Sequence, residues 1–315
     1  MHRPMRQIFI NEFGRLRSGW RLLIFIGAVI TLTFAIATIL RVILIVIGPH
    51  ARSNVTVYVA ELVFRAGLLA SALGAGYICV RFLEGLPWRS LGLTFHTGWL
   101  RDLVFGFATG FAALVVAVAI ASRGLHFSLG SAGWPAIIRS MVASLVILFV
   151  AALAEEAMFR GYGLQTLTRA KLAWLGVLLT SVPFGLAHLT NPNVVRGVTF
   201  ANTALAGIWL AAAYLRTRSL WLALGVHWSW NWALGWFFGL PVSGLQLVSN
   251  PLLQGQDNGP KWLTGGSYGI EGGVACTIAL ILFTAFLWKT RWLSATPDLQ
   301  QMTSEENPAT SVASL

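Results

Sequence analysis

Charge is what this sequence has least of. Only 10% of its 315 residues are Asp, Glu, Lys or Arg, and 11 residues are acidic; a soluble domain carries about a quarter charged residues. That scarcity excludes an ordinary soluble domain. With 56% hydrophobic residues and a mean hydropathy of +0.71, the composition is that of a multi-pass membrane protein. Cysteine is almost missing: Cys79 and Cys276 both fall in apolar segments. A thiol there is a small hydrophobe, so neither a disulfide framework nor a CxxC metal site is implied. The zincin pattern H-E-x-x-H is absent, and no two aspartates share the apolar segments as an intramembrane aspartyl site requires. The net charge of +11 comes without a clustered basic patch, which speaks against nucleic acid as a partner. Basic residues in short loops instead set membrane topology. No repeat relates the two halves, so an inverted-repeat transporter gains no support.

What is present is a series of eight apolar segments, each near the ~20 residues that cross a bilayer. Their limits are 20–48, 57–80, 103–122, 137–166, 172–190, 197–215, 220–240 and 271–292. The first is longer than a signal-peptide core and has no small-residue cleavage pattern after it, so it reads as a retained span. Short turn-rich connections such as IGPHARSN, SRGLHFSLGSAGWP and TNPN separate the segments, and the longest connection covers 241–270. Fourteen tryptophans fit the membrane interface. With a cytoplasmic N-terminus, 14 basic residues, among them Arg3, Arg6, Arg216, Arg218, Lys289 and Arg291, share one side, and Arg52, Arg123, Arg196 and Lys261 take the other. The expectation is an all-α polytopic membrane protein with about eight transmembrane helices enclosing an intramembrane polar chamber, and both termini cytoplasmic. The divisions read as a basic N-terminal segment 1–19, N-terminal helices 20–136, a catalytic transmembrane core 137–292 and a disordered tail 293–315.

Ionisable groups inside membrane helices are costly, and the default reading of each is functional, with a named partner. In the second segment Glu61 and Arg65, four apart, are expected to form an internal ion pair with a structural role. In the fourth, EEAMFR sets Glu156 and Arg160 at i and i+4 with the acid first, the favourable order. Glu155 sits roughly 100° around the helix and lacks that partner, so the two carboxylates are expected to differ, one held ionised and one available as a base. FGLAH puts Phe184 and His188 on one face of the fifth segment, and HWSWN does the same for His227 and Asn231 on the seventh. Counted from the turn at Ala170, Glu155 and His188 lie roughly 22 and 27 Å along their helices. From Ser219, His227 and Asn231 lie roughly 12 and 18 Å along theirs. The four groups are expected to converge below the cytoplasmic surface.

Such a set suits amide hydrolysis, which needs an activated water and donors for a developing oxyanion. Glu155 with His188 could deprotonate a water, and His227 with Asn231 could hold the oxyanion. A zinc site is the other reading, with ligands drawn from Glu155, Glu156, His188 and His227 and one position left open. Asparagine is an uncommon zinc ligand, so the metal-free scheme, with no cofactor, is favoured.

In this order, on successive polar-bearing segments, E-E-x-x-x-R, F-x-x-x-H and H-x-x-x-N resemble the motifs of the CPBP intramembrane endopeptidases. These are the CAAX-prenyl-protease and bacteriocin-processing proteins, also called the Abi family. The surrounding EEAMFRGYG, SVPFGLAHLTN and LGVHWSWNW match as well, over about 137–240, and so does the GGSYGIEGG approach to the last segment. The resemblance implies a polytopic protease acting on a membrane-associated protein or peptide within the lipid bilayer, expected in a bacterial cytoplasmic membrane. Some members remove a tripeptide after a prenylated cysteine; many bacterial ones process peptides or confer immunity to them. The mechanism it implies uses Glu155 and His188 to activate water, His227 and Asn231 as the oxyanion site, and Glu156 with Arg160 in support. Older descriptions of the family as metalloproteases keep zinc as the alternative. A non-catalytic immunity or transport protein is the reading outside enzymes.

Overall fold

A computed structural model describes residues 7–47 and 54–303. Arg3, Arg6 and Arg52, which entered the charge count, and residues 304–315 of the expected tail lie outside the described residues. In chain order the elements are α1 (Ser18–Ile47), α2 (Asn54–Ile78, prolonged by a π-helical turn Cys79–Glu84), α3 (Trp99–Ile120) and strand β1 (Leu125–Leu129). Then come α4 (Trp134–Glu156), a second π turn (Ala157–Gly161), α5 (Tyr162–Arg169), α6 (Ala173–Ala187) and α7 (Arg196–Thr217). Helix α8 (Leu220–Trp232) runs into a third π turn (Ala233–Phe237), and β2 (Leu253–Asp257), the short α9 (Lys261–Thr264), α10 (Val274–Lys289) and α11 (Pro297–Thr303) follow.

The chain is a mostly helical, polytopic membrane protein, and each of the eight apolar segments contains a helix. Among the described residues, six helical stretches are long and apolar enough to cross a membrane, beginning at Ser18, Val59, Trp99, Trp134, Ala173 and Arg196. The seventh and eighth expected spans are shorter. Helix α8 has 13 residues before its π turn, and its HWSWNW end is polar. Helix α10 has 16 residues, about 24 Å at the usual rise, because the tight turn at Ile270–Gly272 occupies the start of the expected segment and the helix ends at Lys289.

Two further expectations are corrected. The connections around 125–129 and 253–257 are not plain loops: β1 and β2 pair antiparallel, with Leu125 opposite Asp257, Phe127 opposite Gly255 and Leu129 opposite Leu253. The tail expected to be disordered from 293 onward is helical at Pro297–Thr303, where Leu299 and Thr303 are buried. Proline in the first turn and Asp298 beside it are good helix starters, and burial of Leu299 supplies the packing.

Backbone contacts divide the chain into two compact units, one of residues 1–94, 153–176 and 297–315, the other of 95–152 and 177–296. The core expected over 137–292 is therefore not one unit; its residues 153–176 belong with the N-terminal helices. In the first unit Phe25 packs on Tyr162 with ring centroids 5.2 Å apart, over buried Leu22, Cys79, Leu91 and Leu167. In the second, α3 and α8 make the closest approach. A Cβ on Gly106, Gly110 or Gly225 would stand 2.2–2.3 Å from a backbone carbonyl of the facing helix, the close backbone contact that small residues permit in membranes.

Candidate active site

In the first unit Glu155 and Glu156 close α4, and Arg160 lies in the π turn that follows. Arg160 Nη1 donates to Glu156 Oε1 at 3.0 Å, and neither side chain has any exposure. The expected i, i+4 pair is thus formed, and breaking a buried pair of this kind costs about 3–5 kcal/mol. Glu155 is set apart by access: its side chain is 21% exposed, and Arg65 Nη1 stands 3.6 Å from its Oε1. Arg65 Nε also donates to Glu61 at 2.7 Å. The Glu61–Arg65 pair is as expected, but it is not closed on itself, and Glu155 is not left without a cation. The reason is that α2 packs beside the π turn, which brings Arg65 to both carboxylates. A charged residue inside a span was the only signal in the sequence, and the nearer acid absorbed it.

In the second unit α6 carries Pro183, whose missing N–H breaks a helical hydrogen bond, and ends in a 3₁₀ turn that begins at His188. His188 Nδ1 lies 2.8 Å from the carbonyl of Phe184. A carbonyl only accepts, so Nδ1 carries the proton and the neutral ring keeps its lone pair on Nε2. The Phe184 ring is 4.8 Å from the His188 ring and 6.0 Å from that of His227, which it meets at 85°. Phe184, buried, touches both histidines. His227 is buried and Asn231, one turn further along α8, is half-buried.

The tryptophans around this motif serve the interior rather than the lipid interface. Trp228 donates to the Leu145 carbonyl at 3.0 Å and Trp236 to that of Ile137 at 3.2 Å. Trp230 donates at 2.9 Å to Glu271 Oε1, and Glu271 Oε2 accepts from the Ser243 amide and, at 3.1 Å, from its hydroxyl. The α8 helix and its π turn are thereby tied at three points that follow His227. This bracing role of Glu271 was not read from the sequence; its one signal there was a lone acid in the glycine-rich GGSYGIEGG. Tyr268, beside it, is fully buried, and burial first and the Glu271 carboxylate second push its phenol upward, so it stays protonated. Gly265–Gly269 reads G-G-S-Y-G, the spacing of a serine-nucleophile elbow, yet it lies between a four-residue helix and a 3₁₀ turn. It lacks the strand and helix such an elbow requires.

For zinc, the ligand types are present but their engagements differ: Glu155 and Glu156 each face a guanidinium. Among the described residues, no three histidine, cysteine or carboxylate side chains are grouped as ligands of one metal ion.

Comparison with known proteins adds two findings. Residues 137–233 match the family described as type II CAAX prenyl endopeptidase, Rce1-like, in agreement with the resemblance carried by the motifs. The uncharacterized protein YyaK of Bacillus subtilis (strain 168) is 26% identical over 162 residues, covering 50% of this chain. The chain spans about half the length of that curated relative, 54%.

Proposed function

We propose that this protein is an intramembrane endopeptidase that hydrolyses membrane-associated proteins or peptides with a water activated by Glu155 and His188. The observation that carries the reading is the family match over residues 137–233, which takes in Glu155, Glu156, Arg160, His188, His227 and Asn231. The side-chain chemistry supports the roles. Glu155 is the accessible carboxylate and Glu156 the buried one, locked by Arg160. His188 keeps its acceptor nitrogen at Nε2, since Nδ1 is committed to a carbonyl.

Glu155 takes a proton from water, and the hydroxide adds to the scissile carbonyl. His227 and Asn231 donate to the oxyanion, and the proton goes on to the leaving amine as the C–N bond breaks. Zinc is the alternative source of activated water, with Glu155, Glu156, His188 and His227 as its ligands. The family description places a CAAX-type, prenylated protein among the substrate classes to be tried.

The test is substrate trapping with Glu155→Gln in native membranes, followed by sequencing of the retained peptides and cleavage assays on them. Glu155→Gln and His188→Ala are expected to abolish cleavage with membrane expression unchanged. His227→Ala or Asn231→Ala should cost about 10²-fold or more. Turnover persisting in Glu155→Gln removes the proposed base. Metal analysis of active protein with chelator treatment separates the glutamate scheme from zinc: activity that survives a strong chelator belongs to the former.

A further inference from the structure

The stretch before α1 folds back on itself in the first unit. Ile10 bridges Leu16, and the Asn11 side chain accepts from the amides of Phe13 and Arg15 at 3.1 and 2.9 Å. Arg17 Nε and Trp20 Nε1 donate to the carbonyls of Gln7 and Ile8 at 2.6 and 3.1 Å. Phe9 stacks on Trp20, ring centroids 5.1 Å apart. This hook, the first turns of α1 and the turn between α5 and α6 together line a cavity of about 760 Å³.

Its lining is strongly one-signed: Arg17, Arg21, Arg169 and Lys171 against the single acid Glu12. Arg21 and Arg169 line it while almost wholly buried. The Glu84 carboxylate orients both, accepting from Arg169 Nε at 2.6 Å and standing 3.2 Å from Arg21 Nη1, with Thr166 donating to it at 2.7 Å. Arg17 and Lys171 are exposed. Two guanidiniums held in fixed orientation, with two exposed cations beside them, match an anion with several oxygens, and the planar guanidinium fork suits phosphate best.

The rest of the lining decides which phosphate. Trp20 and Leu23 face outward at 39% and 59% exposure, at the start of a 30-residue apolar helix. A tryptophan at such a helix end sits at headgroup depth, and an exposed Leu23 below it is placed for an acyl chain. We propose that this cavity binds a phosphodiester, and that the phosphodiester is the headgroup of an anionic phospholipid. The proposal is independent of the protease reading.

The test uses the full chain purified in detergent, with lipid retention followed by native mass spectrometry. Phosphatidylglycerol is expected to be retained over phosphatidylcholine, and the double variant Arg17→Gln/Lys171→Gln to weaken that retention about tenfold or more. Both residues are exposed, which spares the buried Arg21–Glu84–Arg169 cluster; unchanged thermal unfolding checks the fold. Arg123→Gln, an exposed basic residue outside the cavity, should leave retention as it was. Equal retention of the two lipids, or a double variant indistinguishable from the parent, overturns the site. Displacement of phosphatidylglycerol by millimolar glycerol 3-phosphate or inorganic phosphate overturns the lipid assignment in favour of a soluble phosphate.

Discussion

Arg65 shows how a residue's role depends on what folds beside it. Its own helix offers Glu61 at 2.7 Å, and the π turn after α4 adds Glu155 at 3.6 Å. The second contact exceeds hydrogen-bond length, so its effect is electrostatic, holding Glu155 near a cation. Arg65 is then a positioning residue for the proposed base, and the consequence is measurable. Arg65→Gln is expected to lower kcat on the trapped substrate about tenfold, a loss of ~1.4 kcal/mol, with KM little changed; Arg65→Lys should restore part of it. An Arg65→Gln protein with parental kcat and pH profile would confine Arg65 to the Glu61 pair. At this scale the sequence was legible wherever the chemistry is local. The Glu156–Arg160 pair and the Phe184–His188 contact follow from i, i+4 spacing alone. The Arg65–Glu155 contact and the partners of Glu271 were not legible, because they join residues far apart in sequence and no spacing encodes them.

At the scale of elements, helix existence was readable from apolar runs and helix detail was not. Among the described residues, three π turns follow helices at Ile78, Glu156 and Trp232, and two of these begin within two residues of the E-E pair and the H-x-x-x-N motif. Irregular turns of this kind recur at functional sites, but hydrophobic periodicity cannot show them. The α3–α8 contact is half legible: GFATGFAALVVA in α3 is rich in small residues, while the facing helix offers Ala223 and Gly225 among mostly large side chains. Gly225 is where packing and site meet, since it lies two residues before His227. A Cβ there would stand 2.2 Å from the Leu103 carbonyl, and backbone cannot rotate aside as a side chain can. Gly225→Ala is therefore expected to destabilise by about 1–3 kcal/mol, read as an earlier thermal unfolding in detergent, and to lower turnover by shifting His227. Gly74→Ala is the control: nothing lies within 4 Å of its Cβ, so the helix propensity of alanine should make it neutral or slightly stabilising. Equal melting of the two variants would mean that the helices separate freely and that the contact does not hold α8.

For the whole molecule, the strand pair supplies a constraint that composition could not. β1 precedes α4 and β2 follows α8, and the two are hydrogen-bonded, so they lie on one side of the membrane. The chain between them must cross an even number of times. Three stretches there are long and apolar enough to span, those beginning at Trp134, Ala173 and Arg196, and three crossings would put the strands on opposite sides. The fourth crossing falls to α8 with its π turn, 13 and 5 residues, or about 27 Å together. Its polar HWSWNW face is what keeps it below an ordinary hydropathy threshold. The exposed tryptophans agree with a membrane frame: Trp20, Trp134, Trp174 and Trp288 all stand at helix ends, where indoles favour the interface. By the excess of basic residues on cytoplasmic loops, Arg216 and Arg218 before α8 and Lys289 and Arg291 after α10 are expected on the cytoplasmic side. Reporter insertions check this. Alkaline phosphatase placed after residue 130 or residue 258 is expected to be active, and a C-terminal green fluorescent protein to be bright. An active phosphatase at the C-terminus would leave α10, at 16 residues, on one side of the bilayer and reduce the crossings to seven.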